Sequence, residues 1–68
     1  MTLSVRNHLV GKIEEVLMGD VLAHVTVRVG DSLIESVITR RSAGEMKLAN
    51  GDSVTAVVKA TEVMMIRG

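Results

Sequence analysis

The stretch DVLAHVTVRVG, residues 20 to 30, constrains this chain more than any other. Val21, Ala23, Val25, Val27 and Val29 alternate with Leu22, His24, Thr26 and Arg28, a period of two. Successive side chains of an extended segment point to opposite faces, so this is a strand with one dry face and one mostly polar face. A dry face of that kind has to be covered, and neighbouring segments offer the same patterning. HLVGKIEEVLMGD ahead of it reads as a strand in which Gly11 marks a bulge or a tight bend, with Gly19-Asp20 as the hairpin turn. Gly30-Asp31 signals the next turn, and SLIESVIT follows as a third strand.

The pattern then changes. RRSAGEMKLANGD has no alternation, and Ser42 stands three residues before Glu45, the spacing of a capping box with Ser42 as N-cap. A helix of one or two turns is expected there, ended by Asn50-Gly51. SVTAVVKAT and EVMMIRG supply two further strands, dividing near Ala60-Thr61. Three strands, a short helix and two strands is the element order of a five-stranded OB-like barrel, an all-β fold with small helical content. Any small antiparallel β domain with one helix also fits this order. No repeat, linker or low-complexity segment divides the chain, so residues 1–68 read as one domain.

Composition narrows the function. A chain of 68 residues buries only about 60% of the surface its unfolded form exposes, and small domains usually need reinforcement. There is no cysteine for disulfides or thiolate metal sites, and only His8 and His24 could serve a histidine site. Self-association is the remaining means. Eight basic residues balance eight acidic ones, and Phe, Tyr and Trp are absent, which argues against a nucleic-acid surface with stacking platforms. No apolar run approaches the roughly 20 residues of a membrane span, and the N-terminus lacks a signal-peptide pattern, so a cytoplasmic protein is expected. No histidine is spaced with a serine and carboxylate as a nucleophilic triad would be, and the acidic residues are scattered, so neither an enzyme nor a cation site is expected.

Anion chemistry has more support. Ser4 and Arg6 are two apart, which on an extended segment puts a hydroxyl and a guanidinium on one face. At TRRSAGE, a helix capped by Ser42 would turn the amides of Ala43 and Gly44 outward, with the hydroxyls of Thr39 and Ser42 and the charges of Arg40 and Arg41 nearby. Lys59 interrupts an otherwise apolar strand and either snorkels to solvent or meets a fixed anion. Each feature alone also fits an ordinary solvated strand edge or helix cap.

Taken together, these segments resemble a known family. SVRNHLVGKI resembles the opening of the Mop-type molybdate-binding domains, the molbindins of the TOBE-like family. Their usual form there is Ser-Ala-Arg-Asn followed, two residues on, by a residue and glycine. VITRRSAGEMKLANGD resembles their middle and VTAVVKATEVMMIRG their closing segment, where a lysine precedes a small residue and a Val-Met pair. The resemblance runs over residues 2 to 68.

It implies an OB-like barrel, a homohexamer built as a trimer of dimers, and molybdate or tungstate bound at subunit interfaces without cofactor or catalysis. Ser4 and Arg6 would come from one subunit. Thr39, Ser42, the backbone N–H of Ala43, and Lys59 would come from its neighbour, with Asn7 matching the motif in a ligand or turn-holding role. Val5 replaces the usual alanine, and His8 replaces a more common amide or other polar residue; if His8 lines a site, it would make oxyanion affinity pH-dependent. Storage or homeostasis is the expected role, since the chain starts at Met1 and its 68 residues hold no DNA-binding or ATPase segment. The alternative is a molybdate-sensing module of a larger regulator or transporter.

Overall fold

The computed structural model describes residues 5–68, so Ser4 lies outside the described residues. Four strands form one antiparallel sheet: β1 (Arg6–Met18), β2 (Leu22–Val29), β3 (Ser32–Thr39) and β4 (Ser53–Lys59). A helix, α1 (Arg40–Met46), connects β3 to β4, and a 3-10 turn (Ala60–Glu62) follows β4. The spatial order is β3-β2-β1-β4, which leaves β3 and β4 as edges.

The period of two does what it predicts from Ala23 to Val27, whereas Val21, expected on the dry face, precedes β2 and is 73% exposed. Ala23, Val25 and Val27 are buried on one face, while His24 and Arg28 are exposed on the other. Ile13 of β1 stands opposite Val27 and is 2% exposed, and these valines with Ile13 form the core. Ala43 of α1 is also buried. The sheet curls far enough that both edges line one cleft: Ile34 and Ile38 of β3 face Val54 and Val58 of β4 across about 700 Å³.

The structure changes four expectations. The bulge is not at Gly11 but between Ile13 and Glu15, where Glu14 is the extra residue. Arg28 across the bulge bonds the Glu14 carboxylate, and that bond, with the charge behind it, raises the guanidinium further above its usual pKa. Gly11 instead marks a close approach of backbones: a Cβ there would stand 2.4 Å from the Arg28 carbonyl oxygen.

The helix begins three residues earlier than the capping box implied. Thr39 is its N-cap, with Oγ1 accepting from the Ser42 amide at 3.0 Å. The N-cap preference for threonine and serine is nearly equal, and the end of β3 places Thr39 first. Glu45 does not reach back to a cap, because Arg41 one turn before it holds its carboxylate at 3.1 Å. The helix ends at Lys47 in the left-handed region (φ 53°), before Asn50-Gly51.

The fifth strand is absent: Val63–Gly68, within the expected EVMMIRG, have no regular structure and no ladder partner. Met64, Met65 and Ile66 are each more than 90% exposed. The sheet is therefore a half-barrel, mostly β with one short helix, and not a closed five-stranded barrel.

Candidate anion site

Arg6 opens β1 and Lys59 closes β4, and the ladder sets them directly opposite each other. Directly opposed residues project from the same side of a sheet with Cβ atoms roughly 5 Å apart, and like charges there repel. Both are exposed, on the side facing away from the cleft. Among the described residues, the ion pairs are His24–Glu35, Arg28–Glu14 and Arg41–Glu45, none of which involves Arg6 or Lys59. Two cations forced together without a carboxylate can be reconciled by a bound anion, held through charge-assisted hydrogen bonds.

Asn7 is on the other side of the sheet. Its Nδ2 makes only a long 3.5 Å contact to the carbonyl of Val58, its ladder partner on β4.

The second expected group of donors sits elsewhere. Thr39 pairs with Leu22 at the end of the sheet where β1 finishes, whereas Arg6 and Lys59 lie where β1 starts. A shallow depression there is lined by Met18, Asp20, Thr39, Arg40, Arg41 and Gly44. Thr39 Oγ1 donates to Ser42 Oγ at 2.8 Å, which leaves the Ser42 hydroxyl hydrogen free to donate onward.

Ala43 is buried, and in a helix capped by Thr39 its amide stands where the first intrahelical bond forms. Any ligand would share that amide with the helix. Arg40 is not a loose charge at this corner: its Nη1 donates to the Gly19 carbonyl at 2.9 Å and its amide to Val21, tying α1 to the β1–β2 turn.

The structure thus brings Arg6 and Lys59 of one chain together, and separately Thr39, Ser42 and Ala43, but it does not bring the two groups together within one chain. Lys59, expected beside Thr39, Ser42 and Ala43 on the neighbouring subunit, instead stands next to Arg6, because β4 ends where β1 begins. His8 belongs with the first group, since it lies opposite Val57 on the Arg6 and Lys59 side of the sheet. The alternation that links Ser4 to Arg6 extends by two residues to His8 and could have found it. Among the described residues, no cluster of His, Asp or Glu could hold a cation, and no helix is long and apolar enough to cross a membrane.

Comparison with known proteins gives a consistent result. The TOBE domain family matches residues 3–65. "Molybdenum-pterin-binding protein 2" of Clostridium pasteurianum is 39% identical over 67 residues, covering 97% of this chain and 98% of that protein. "Molybdenum-pterin-binding protein MopB" of Rhodobacter capsulatus is 43% identical over 63 residues, covering 91% of this chain but 23% of that protein. Among solved structures, a molybdate binding protein from Sporomusa ovata superposes with a TM-score of 0.88 at 34% identity, covering 98% of this chain and 100% of that one. MopII from C. pasteurianum superposes at 0.87 with 37% identity, covering 97% of this chain and 100% of that one. The family match over residues 3–65, with relatives such as the C. pasteurianum protein aligned over nearly the whole chain, makes this chain a member of the TOBE domain family of the Mop type, a molbindin.

Proposed function

We propose that this chain is a non-catalytic oxyanion-binding protein that takes molybdate or tungstate at interfaces between its own copies, for storage or homeostasis in the cytoplasm. The observation that carries the reading is the Arg6–Lys59 opposition, two cations without an ion-pair partner among the described residues, on a chain of zero net charge. An acceptor-only dianion fits it. Relatives are named for molybdenum-pterin, yet this chain has no aromatic side chain to stack on a pterin ring, which favours the oxyanion itself as ligand.

Self-association has separate support. The chain exposes 5660 Å², whereas a compact 7.3 kDa protein exposes roughly 4200 Å². The surplus of roughly 1500 Å² exceeds the roughly 800 Å² each partner contributes to a standard interface. Much of it lies in the apolar tail Val63–Ile66 and the open cleft between β3 and β4. A tail from a second copy laid in the cleft would serve as the missing strand and close an OB-like barrel.

Assembly also answers the division of the site. Arg6 and Lys59 are at one end of a chain, and Thr39, Ser42 and the backbone of Ala43 at the other. An end-to-end contact between copies, as in a homohexamer built as a trimer of dimers, would set the two groups around one anion, with Lys59 now on the Arg6 side of the contact. Asn7 then supports the site by fixing the ladder beneath it.

A second reading is a molybdate-sensing module of a larger regulator or transporter. It is favoured by the relatives in R. capsulatus, of which this chain spans about a quarter. Native mass spectrometry with and without molybdate tests the main reading: an oligomer carrying a fixed number of anions is expected, and a monomer that takes up none defeats it.

A further inference from the structure

The Arg6–Lys59 end of the sheet carries a third group that the anion reading does not yet use. Arg6, His8 and Val10 of β1 share the outward side with Lys59, Val57 and Thr55 of β4. The exposure pattern agrees: Val10 is 69% and Val57 52% exposed, while Leu9, Ala56 and Val58 on the other side are half-buried. His8 is two residues from Arg6 on one strand, roughly 7 Å along it, and diagonal to Lys59 on the other, where side chains 7–8 Å apart at the backbone are within reach of long neighbours.

The two histidines differ in their surroundings. His24 bonds the Glu35 carboxylate, beside Thr26. His8 has no such partner among the described residues. The charged groups facing it are all basic: Arg6 and, beyond Val10, Lys12 on its own strand, and Lys59 on β4. On its other flank the β1–β2 ladder ends at Lys12 and Arg28, with Asp31 in the turn beyond. Glu62, the acid nearest Lys59 in sequence, lines the cleft on the opposite side of the sheet. An imidazole among cations, with no carboxylate turned toward it, has an anion as its natural partner.

We propose that His8 is a third donor to the oxyanion held by Arg6 and Lys59. The proposal rests on that site being the anion site. An imidazole N–H completes a three-point grip on a tetrahedral dianion, with Arg6 and Lys59 as the two permanent charges. A protonated ring adds charge to the grip, so tungstate should bind more tightly at the more acidic pH.

The test is calorimetric titration with sodium tungstate at about pH 6 and pH 8, the span where histidine changes charge. It compares the native protein with His8→Ala, His8→Gln and Lys59→Met, the assembly state of each being checked by native mass spectrometry. His8→Ala should weaken binding about tenfold at the lower pH, the loss of one charge-assisted hydrogen bond. His8→Gln keeps a neutral donor, and should bind within about threefold of the native protein at the higher pH without tightening at the lower one.

In a ¹⁵N-histidine NMR spectrum, tungstate should shift the His8 ring resonances and leave those of His24 in place. Equal affinity of native and His8→Ala protein at both pH values, with Lys59→Met defective, overturns the role of His8 and leaves the anion site standing. A native protein that binds no tungstate, or Lys59→Met binding as the native protein does, overturns the site itself.

Discussion

Lys59→Met should change stability and binding in opposite directions. In the unliganded protein Lys59 stands across the ladder from Arg6, with no carboxylate between them among the described residues. Two unit charges that splay to about 8 Å in water repel by about 0.5 kcal/mol, within the 0.2–1 kcal/mol range of cross-strand pairs. Methionine keeps an unbranched apolar stem and removes the charge, so the variant should unfold about 2–4 °C higher, given 4–8 °C per kcal/mol for a domain of this size.

The gain should vanish near 1 M salt, where the screening length is about 3 Å. With tungstate the order reverses. At a hundred times its Kd the anion should stabilise the native protein by about 2.7 kcal/mol, a rise of more than about 10 °C, and the variant should gain little of it. Thermal unfolding by circular dichroism, at matched protein concentration and at low and high salt, reads both effects. A variant that unfolds below the native protein without anion would show that the lysine stem is structural. A variant with the full tungstate shift would show that Lys59 does not hold the anion.

Three further outcomes test the scaffold around the site. Gly11→Ala should cost about 3 kcal/mol or more in a urea titration, because the obstacle to its Cβ is the Arg28 carbonyl, which no rotamer change removes; a loss under about 1 kcal/mol would mean that β1 and β2 separate easily there. Thr39→Ala should lose about 1 kcal/mol of stability as the helix loses its cap, and tungstate affinity should fall because Ser42 Oγ loses its fixed partner. Unchanged affinity would take this corner out of the site. Deleting residues 63–68 should leave the β-sheet signal in circular dichroism but reduce the assembly to monomers by native mass spectrometry. A truncated chain that still assembles would refute the tail as the element exchanged between copies.

The strands were legible because period two is an intrachain signal. Val25 and Val27 are buried for the reason their alternation gives, and the chain needs nothing else to place them. The helix was legible in existence but not in its start, since Thr39 and Ser42 are both good caps and only the end of β3 decides between them. Gly11 announced a special position without its kind: a bulge and a close approach both require the missing side chain, and the bulge itself falls on Glu14, where the local sequence carries no turn or glycine signal.

The tail is a different case. Its β-branched and methionine content reads as a strand, and in that respect the reading of EVMMIRG describes the side chains correctly. A strand, however, is defined by a hydrogen-bonding neighbour, and among the described residues both edges of this sheet are free while the tail pairs with neither. The tail's apolar content is thus suited to a partner that its own fold leaves unpaired. The same logic governs the site. Motif residues identify the donors one by one, but the ladder puts Arg6 and Lys59 at one end and Thr39 at the other, a separation that strand spacing alone does not reveal. Two groups of donors at opposite ends, an unfilled cleft and an unpaired strand-like segment are the features that the proposed assembly of copies would complete.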